Sequence, residues 1–270
     1  MTLKNILVHL DGGPRTSERL NLAAKLAAQS DARLVGVFAQ RFGAHRVGLV
    51  ATWPPEEYRG VADASAKQFA AATKSLAKAE WVDINRGGEQ QIIQLMTDLS
   101  RHFDLIVCGQ TEDGDARKVP SDMVDQIIME SGRPVLVLPY AGHYAELGKR
   151  PLIAWNDSRS AARALNDSLG ILAAGCEATV ISFVQPHAPA SSTVPQIVKH
   201  LACHGVTAKE DTLIVQDIGV MDMLLNRASD HGSDLLVAGA FGHYGFPVLN
   251  RGGGTRFLLQ HMTLPVLFSH

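Results

Sequence analysis

The sequence predicts an α/β protein made of two repeated, doubly wound domains, each with a five-stranded, mostly parallel sheet, packed as a pseudo-dimer. Short runs rich in Leu, Ile and Val alternate with segments of helical period, including 17–29, 160–174 and 220–231. The apolar runs lack in–out alternation, which is typical of parallel strands covered by helices on both faces. The third observation is that the chain repeats itself.

The repeat is visible as pairs of matching strand-like segments. Residues 4–11 (KNILVHLD) match 150–157 (RPLIAWND), and 32–38 match 178–184 at the same offset. Later pairs have an offset about sixteen residues shorter, so the first half contains extra residues, located at 41–79. The later pairs are 104–109 with 234–239 and 133–138 with 264–269.

The domain boundaries follow from the repeat. A turn-rich segment without apolar period, 139–148 (PYAGHYAELG), is expected to link the halves. The sequence therefore predicts a first domain at 1–140 and a second domain at 149–270. The extra segment is predicted to add helical surface rather than a third domain, because 62–79 is rich in Ala, Lys and Gln.

Composition and charge narrow the class of protein. With 46% hydrophobic and 19% charged residues, the chain can form a packed core and is too apolar for general disorder. A net charge of −2 with dispersed Lys and Arg gives no basic stripe for nucleic acid or for anionic lipid. Neither partner is predicted.

Cysteine use and the apolar pattern predict a cytoplasmic location. Cys108, Cys176 and Cys203 form no CxxC pair, and Cys108 lies in a strand-like run, which fits a reducing compartment. The strand-like run at 3–10 has no signal-peptide pattern, and no window reaches the roughly 18 apolar residues of a membrane span. Neither export nor membrane insertion is expected.

Glycines cluster in the second half, where a predicted strand ends and a predicted helix begins. The strand ends in Gly239, Gly242 follows, and after nine further residues the run 252–255 (GGGT) leads into the helical pattern at 256–260. A helix start presents unpaired backbone N–H groups, and residues without Cβ allow close approach, so the arrangement suits a phosphate. A flexible turn is the alternative explanation.

The spacing Gly239-x2-Gly242-x9-Gly252, with Asp157 after the first strand and Pro265 in the last, resembles the universal stress protein family. Because both halves share the layout, the resemblance covers nearly the whole chain. It implies that the second domain binds ATP, with or without Mg²⁺. It also implies that the terminal strands of the two halves meet across a pseudo-twofold interface, which would remove an exposed edge from each sheet.

The resemblance further implies roles for individual residues. The family pattern continues with Gly-Ser/Thr, whereas here Gly253 follows and a hydroxyl comes two positions later, at Thr255. Backbone N–H donors of Gly253 and Gly254 remain. The acid and the strand-end backbone that the family uses around the nucleoside correspond to Asp157 and Val184. From the residues alone, Asp157 equally fits a helix N-cap, and Val184 equally fits packing.

Cationic side chains flank the glycine motif. His243 follows Gly242 and, when protonated, could donate a charge-assisted hydrogen bond to a phosphate. Arg251 and Arg256 flank the glycine run, and an exposed loop position is the alternative for all three. The predicted nucleotide-binding residues are Asp157, Val184, Gly239, Gly242, His243, Gly252, Gly253, Gly254 and Thr255.

The first half lacks this glycine pattern. Aligned on the last strand, Glu112 stands at the position of Gly242, and Asp122 at that of Gly253. Two like charges a few ångströms apart repel by about 1 kcal/mol in water and by several at a protein surface. Nucleotide is therefore expected to bind once per chain, in the second domain. Asp11 keeps the acid at the end of the first strand.

Motifs of several enzyme classes are missing from the sequence. The histidines show no HExxH or other metal-ligand spacing, and no Ser lies in a GxSxG elbow. No GxGxxG follows the first strand, and GxxxxGK[ST] is absent. The sequence therefore predicts no metal site, and it disfavours a dehydrogenase or a P-loop enzyme.

These features predict a stress-response regulatory protein of the universal stress type that binds ATP or a related nucleotide. Catalysis beyond weak ATPase activity is not predicted, because Asp157 and His243 are the only candidate bases. The alternatives are a slow ATPase or other nucleotide-using enzyme, and a ligand-free interaction protein. The expected partners are the nucleotide and, beyond the internal pseudo-dimer, a second copy of the chain.

Overall fold

The computed structural model describes most of the chain, which forms two compact units that divide between Tyr140 and Ala141. None of the described helices is long and apolar enough to cross a membrane. The described residues are 3–42, 46–47, 50–51, 56–85, 88–111, 118–184, 193–214, 219–242 and 253–270.

The first unit contains a five-stranded parallel sheet, in the order β7-β6-β1-β2-β5, and a separate antiparallel pair, β3-β4. Its strands are β1 (Asn5–Leu10), β2 (Arg33–Phe38), β3 (Arg46–Val47), β4 (Val50–Ala51), β5 (Ala79–Asp83), β6 (Leu105–Gly109) and β7 (Val135–Leu138). Its helices are α1 (Thr16–Ser30), α2 (Glu56–Ala72), α3 (Glu89–Ser100) and α4 (Met123–Glu130).

The second unit repeats the five-stranded parallel arrangement, in the order β10-β9-β8-β11-β12. Its strands are β8 (Pro151–Trp155), β9 (Glu177–Val184), β10 (Thr207–Ile214), β11 (Leu235–Gly239) and β12 (Val266–Ser269). Its helices are α5 (Arg159–Ser168), α6 (Val194–Cys203), α7 (Val220–Asp230) and α8 (Gly253–His261). The predicted α/β class with a five-stranded parallel sheet in each half is confirmed.

The strand order creates a crevice in each unit. In the first unit the chain proceeds outward from β1 to β2 and β5, then returns to the other side of β1 to form β6 and β7. In the second unit β8 and β11 have the same relation. Loops diverge where the strand order reverses, so the carboxyl ends of β1 and β6, and of β8 and β11, are where ligands of such sheets bind.

The cores explain why these segments form strands and helices. In the first unit β1, β2 and β6 are buried along nearly their whole length, so their side chains face helices on both sides. Tyr58 of α2 is buried against Phe38 of β2, with ring centroids 5.8 Å apart. Its hydroxyl donates to Asp83 of β5 at 2.6 Å, which satisfies the one polar atom of the ring.

The extra length of the first half lies in the crossover from β2 to β5, as predicted. α2 has 17 residues, against 10 in the corresponding α6, and the short β3-β4 pair belongs to the same crossover. The extra residues therefore lengthen an existing helix and its entry, and they add no third unit.

The helix predicted at 62–79 is confirmed over its first part. α2 ends at Ala72, and Thr73 closes the last turn by donating both its amide (3.0 Å) and its hydroxyl (2.8 Å) to the Phe69 carbonyl. Ala79 already belongs to β5. Intrinsic propensity does not show where a chain must return to its sheet.

The helix predicted at 160–174 is also shorter than expected. α5 ends at Ser168, whose buried hydroxyl donates to the Leu165 carbonyl at 2.7 Å. Leu169 and Gly170 follow, and Gly175 has a φ of 71°. Glycine disfavours helix and permits the left-handed conformation, so the apolar residues between these two glycines form a turn.

Candidate functional site

In the second unit, most of the predicted site residues that the structure describes lie near the reversal of strand order between β8 and β11. β8 is followed by a short connection to α5, and β11 is followed by the segment 240–242. Val184 is the last residue of β9, which pairs with β8. His243, Gly252 and Arg251 lie outside the described residues.

Ser158, rather than Asp157, caps α5. The Ser158 hydroxyl accepts a hydrogen bond from the Ala161 amide at 3.1 Å and donates to Asn156 Oδ1 at 2.6 Å. The N-cap interpretation of Asp157 is therefore wrong. Asp157 instead has a φ of 57°, a left-handed conformation that aspartate tolerates better than most residues.

The Asp157 side chain is exposed but held in place. Its Oδ1 accepts from the Trp155 indole N–H at 3.0 Å and from the Thr193 hydroxyl. Trp155 also donates to Thr193 Oγ1 at 2.8 Å, so the three side chains form a closed group. Val184, at the end of β9, is half-buried and lies in register with Ile214, a large apolar side chain that is 57% exposed.

Gly239 is required by packing. A Cβ at Gly239 would lie 2.5 Å from the Ala161 amide nitrogen and 2.6 Å from the Ser160 carbonyl carbon, so the end of β11 touches the first turn of α5. A Cβ at Gly242 would lie 3.1 Å from Ser160 Oγ. Gly242 therefore lies beside the hydroxyls of the α5 start, and Gly239 lies beside its backbone.

Thr255 joins the start of α8 to the segment after β11. Its buried Oγ1 accepts from the Phe241 amide at 2.9 Å, and Phe241 has a φ of 49°. Gly253 and Gly254 form the first turn of α8, where backbone N–H groups have no partner within the helix. The starts of α5 and α8 are thus both tied to the segment that contains Gly239 and Gly242.

The corresponding reversal in the first unit contains a buried charged group on α1. Arg19 is only 3% exposed, and its Nε donates to the His9 carbonyl at 2.6 Å. Its Nη2 donates to Asp11 Oδ2 at 2.8 Å and to Thr16 Oγ1 at 3.2 Å. A Cβ at Gly109, the last residue of β6, would collide with Arg19 Nη1.

Burial and charge determine the protonation of this group. Burial, and then the Arg19 charge, lower the pKa of His9 from 6.5 to about 4, although Asp11 and a backbone carbonyl oppose the shift. Burial alone would raise the pKa of Asp11, but Arg19, His9 and hydrogen bonds from Thr16 and Gly13 hold it well below its usual range. At neutral pH the group is a neutral imidazole, a carboxylate and a guanidinium.

An open cleft with about 750 Å³ of space, part of it open to solvent, adjoins this group. The glycine spacing of the sequence does not indicate this cleft. The available signal was Arg19 itself, a charged residue on the apolar stripe of a predicted helix, beside Leu20 and Ala23. The cleft is lined by His9, Asp11, Gly13, Pro14, Arg15, Glu18, Arg19, Gly109, Gln110, Thr111, Lys118, Val119, Leu138, Pro139 and Tyr140.

The carboxylates expected to oppose phosphate in the first half are not at this cleft as far as the structure describes them. Asp122 is exposed before α4, where it accepts from the Ser121 hydroxyl at 2.9 Å. It lines a different groove, together with residues of α3 such as Gln90 and Asp98. Glu112 lies outside the described residues. The described residues contain no group of three or more His, Cys, Asp or Glu that could hold a metal ion.

Known structures share the fold of this chain, but no relative was found by sequence. No protein-family model and no curated protein matches the chain by sequence. A universal stress protein structure from Archaeoglobus fulgidus DSM 4304 matches 99% of this chain and 96% of its own, with a TM-score of 0.77 and 13% identity. A functionally unknown protein from Pseudomonas aeruginosa PAO1 matches 99% and 92%, with a TM-score of 0.58 and 13% identity.

A structure from Pseudomonas aeruginosa UCBPP-PA14, provisionally assigned to the universal stress proteins, matches 99% of this chain and 93% of its own, with a TM-score of 0.58 and 15% identity. The three matches extend over both units of the chain. The protein therefore has the fold of universal stress protein structures along its whole length, in a tandem arrangement of two such units.

Proposed function

We propose that this chain is a tandem universal stress protein, with a regulatory role in stress response, that binds ATP or a related nucleotide in its second domain, 149–270. The observation that carries the proposal is the meeting of two helix starts, those of α5 and α8, at the glycine segment 239–242. Each helix start directs backbone N–H groups and the positive end of a dipole toward an anion.

The charges at the two helix starts support an anionic ligand. Acidic residues usually stabilise the first turn of a helix, but the first turns of α5 and α8 contain none. They carry Arg159 and Arg256 instead, and both side chains are exposed. A cation at this end of a helix is unfavourable by itself and becomes favourable when a polyphosphate neutralises it.

The remaining site residues provide a place for the nucleoside. Asp157, held by Trp155 and Thr193, offers a carboxylate at a defined position, while Val184 and Ile214 offer an apolar surface at the ends of β9 and β10. In this proposal the phosphates bind the backbone amides of 252–254 and of Gly242, together with the side chain of His243. Mg²⁺ accompanies the ATP. In this proposal nucleotide binds only the second domain, because the first domain, 1–140, has no counterpart of the glycine pattern at 239–254.

We place the function in the cytoplasm, with a homodimer as the larger assembly. The three cysteines are free, and Cys108 and Cys176 are buried. Burial raises the pKa of the Cys108 thiol to about 12, against the opposing effect of Arg19, so this thiol is unreactive. Free structural thiols fit a reducing compartment.

Isothermal titration of the full chain with ATP, ADP and AMP tests the proposal. One site per chain is expected. Gly253→Asp places a carboxylate in the first turn of α8, where two like charges repel by about 4 kcal/mol at a protein surface, so ATP affinity should fall more than about 100-fold. Asp is a favourable residue at a helix start, so the variant should remain folded.

Gly60→Asp is the matched control, because Gly60 lies on α2 of the first unit with open space around it. Its ATP affinity should equal that of the wild type. If Gly253→Asp binds ATP normally, the phosphate site is elsewhere. If the wild type binds no nucleotide at millimolar concentration, the ligand-free interaction protein becomes the better proposal.

A further inference from the structure

The first-unit cleft contains a buried charge that the proposed nucleotide site does not use. The cleft lies where β1 and β6 diverge, the position at which parallel sheets of this kind bind ligands. The cleft is partly open to solvent, so a small molecule can enter it without displacing a helix or strand. All of its lining residues belong to the first unit.

Arg19 is the buried charged group in this cleft that could bind a ligand. Its Nε and Nη2 are occupied by the His9 carbonyl, Asp11 and Thr16. Its Nη1 lies against Gly109, which also lines the cleft, and takes no part in these bonds. A guanidinium that is 97% buried has little contact with water, so an anionic acceptor bound in the cleft would stabilise its charge.

The charges around the cleft favour an anion as that acceptor. Three cationic side chains, Arg15, Arg19 and Lys118, line it, together with two carboxylates, Asp11 and Glu18. Asp11 is already bonded on both oxygens, by the Thr16 hydroxyl and the Gly13 amide on Oδ1 and by Arg19 on Oδ2. A single acidic group on a ligand is therefore attracted more than it is repelled.

The cleft also has an apolar side. Tyr140 is 54% exposed, although its amide is fixed by a 3.0 Å hydrogen bond to the Gln110 side chain. Pro14, Val119 and Pro139 line the cleft with it. An exposed aromatic ring and proline rings near a guanidinium suit a ligand with a planar or apolar body and one acidic group.

We propose that the first unit binds a small organic acid in this cleft. The carboxylate or phosphate of the ligand accepts a hydrogen bond from Arg19 Nη1, and its apolar or aromatic body lies against Tyr140 and Pro139. This site is independent of the nucleotide site proposed in the second unit.

Three probes with the same ring test the site by isothermal titration of the full chain: benzoate, phenyl phosphate and uncharged benzyl alcohol. One of the two acids, or both, should bind at one site per chain, and benzyl alcohol should bind at least tenfold more weakly, because it cannot make the charge-assisted bond. The stronger of the two acids identifies the acidic group that the cleft prefers. Absence of binding by both acids at millimolar concentration would overturn the proposal, as would equal binding of benzyl alcohol.

Variants locate the binding. Arg19→Lys keeps the charge and lacks Nη1, so acid binding should weaken roughly 10- to 100-fold. Tyr140→Ala removes an exposed ring without endangering the core and should weaken binding about three- to tenfold. Arg101→Gln removes an exposed arginine that pairs with Asp98, and it should leave binding unchanged.

Each outcome of the variant titrations decides the question. Wild-type affinity in both Arg19→Lys and Tyr140→Ala would show that the acid binds elsewhere and would overturn the proposal. Gly253→Asp should bind the acid normally even when it no longer binds ATP. Loss of acid binding in Gly253→Asp, or a second equivalent of ATP that displaces benzoate, would also overturn the assignment to a small acid in the first unit.

Discussion

Gly109 and Gly239 end corresponding strands of the two units, yet they lie against different groups. Gly239 touches the backbone of the first turn of α5, whereas Gly109 touches the Nη1 of Arg19 on α1. In the second unit the space at the strand end is filled by a helix start, and in the first unit by a guanidinium and an open cleft. A strand-end glycine therefore signals close approach without showing what approaches.

Among variants that test this difference between the units, the largest loss of stability is expected at the buried ion pair of the first unit. Arg19→Leu leaves the Asp11 carboxylate buried without its cation, because Asp11 is only 10% exposed. Removing one partner of a buried pair typically destabilises by about 3–5 kcal/mol. Urea unfolding followed by fluorescence, with Trp81 in the first unit and Trp155 in the second, should show this loss in the first unit.

The control for that experiment is Arg101→Leu, which removes the cation of an exposed pair with Asp98. Exposed pairs contribute about 0–1 kcal/mol, so its unfolding midpoint should change little. An Arg19→Leu protein as stable as the control would show that the ion pair does not hold the strand end together.

A second difference between the units should appear on acidification. The position of His9 in the first unit is occupied by Trp155 in the second. The pKa of His9 falls from 6.5 to about 4 on folding. Between these pH values His9 is therefore protonated in the unfolded chain and neutral in the folded chain. The first unit should therefore lose about 3 kcal/mol of stability as pH falls through this window, and the loss should be complete near pH 4.

Urea unfolding at a series of pH values measures this loss. His9→Gln should flatten the dependence between pH 6.5 and 4, while the second unit should show no matching step from Trp155. The stability that Asp11 contributes would remain in the variant. The pKa of Asp11 is depressed, so this contribution is lost only at a pH below the range in which His9 titrates. A slope in His9→Gln equal to that of the wild type would contradict the prediction.

The smallest expected effects compare the two glycines directly. A methyl at Gly239 meets backbone atoms of Ser160 and Ala161, which cannot move without displacing α5. A methyl at Gly109 meets the far end of a side chain, which can shift. Gly239→Ala should lower the free energy of unfolding by about 2–3 kcal/mol and Gly109→Ala should lower it by about 1 kcal/mol, as measured by thermal unfolding. The reverse order would show that Arg19 is the more rigid neighbour.

Much of the fold follows from the sequence. Apolar runs without alternation predict buried parallel strands, and 104–109 and 234–239 are indeed β6 and β11. The helical period at 17–29 and 220–231 corresponds to α1 and α7 within a residue. These predictions succeed because burial on two sheet faces, or on one helix face, leaves a pattern in neighbouring residues.

The helix ends were less predictable. Apolar residues continue past Ser168, yet α5 stops there, and Ala-rich sequence continues past Ala72, where α2 stops. A helix in such a fold ends where the chain must return to the next parallel strand, and that point depends on the sheet rather than on the propensity of the residues.

The sequence by itself determined the repeat, the strand runs and the glycine spacing, because each is a pattern along the chain. Only the tertiary structure decided that Ser158 caps α5, that Thr255 holds the Phe241 amide, and that Arg19 lies buried beside Gly109. The last two contacts join residues that lie far apart in the sequence, and whether a side chain becomes a clamp or a buried charge depends on which strand end lies next to it.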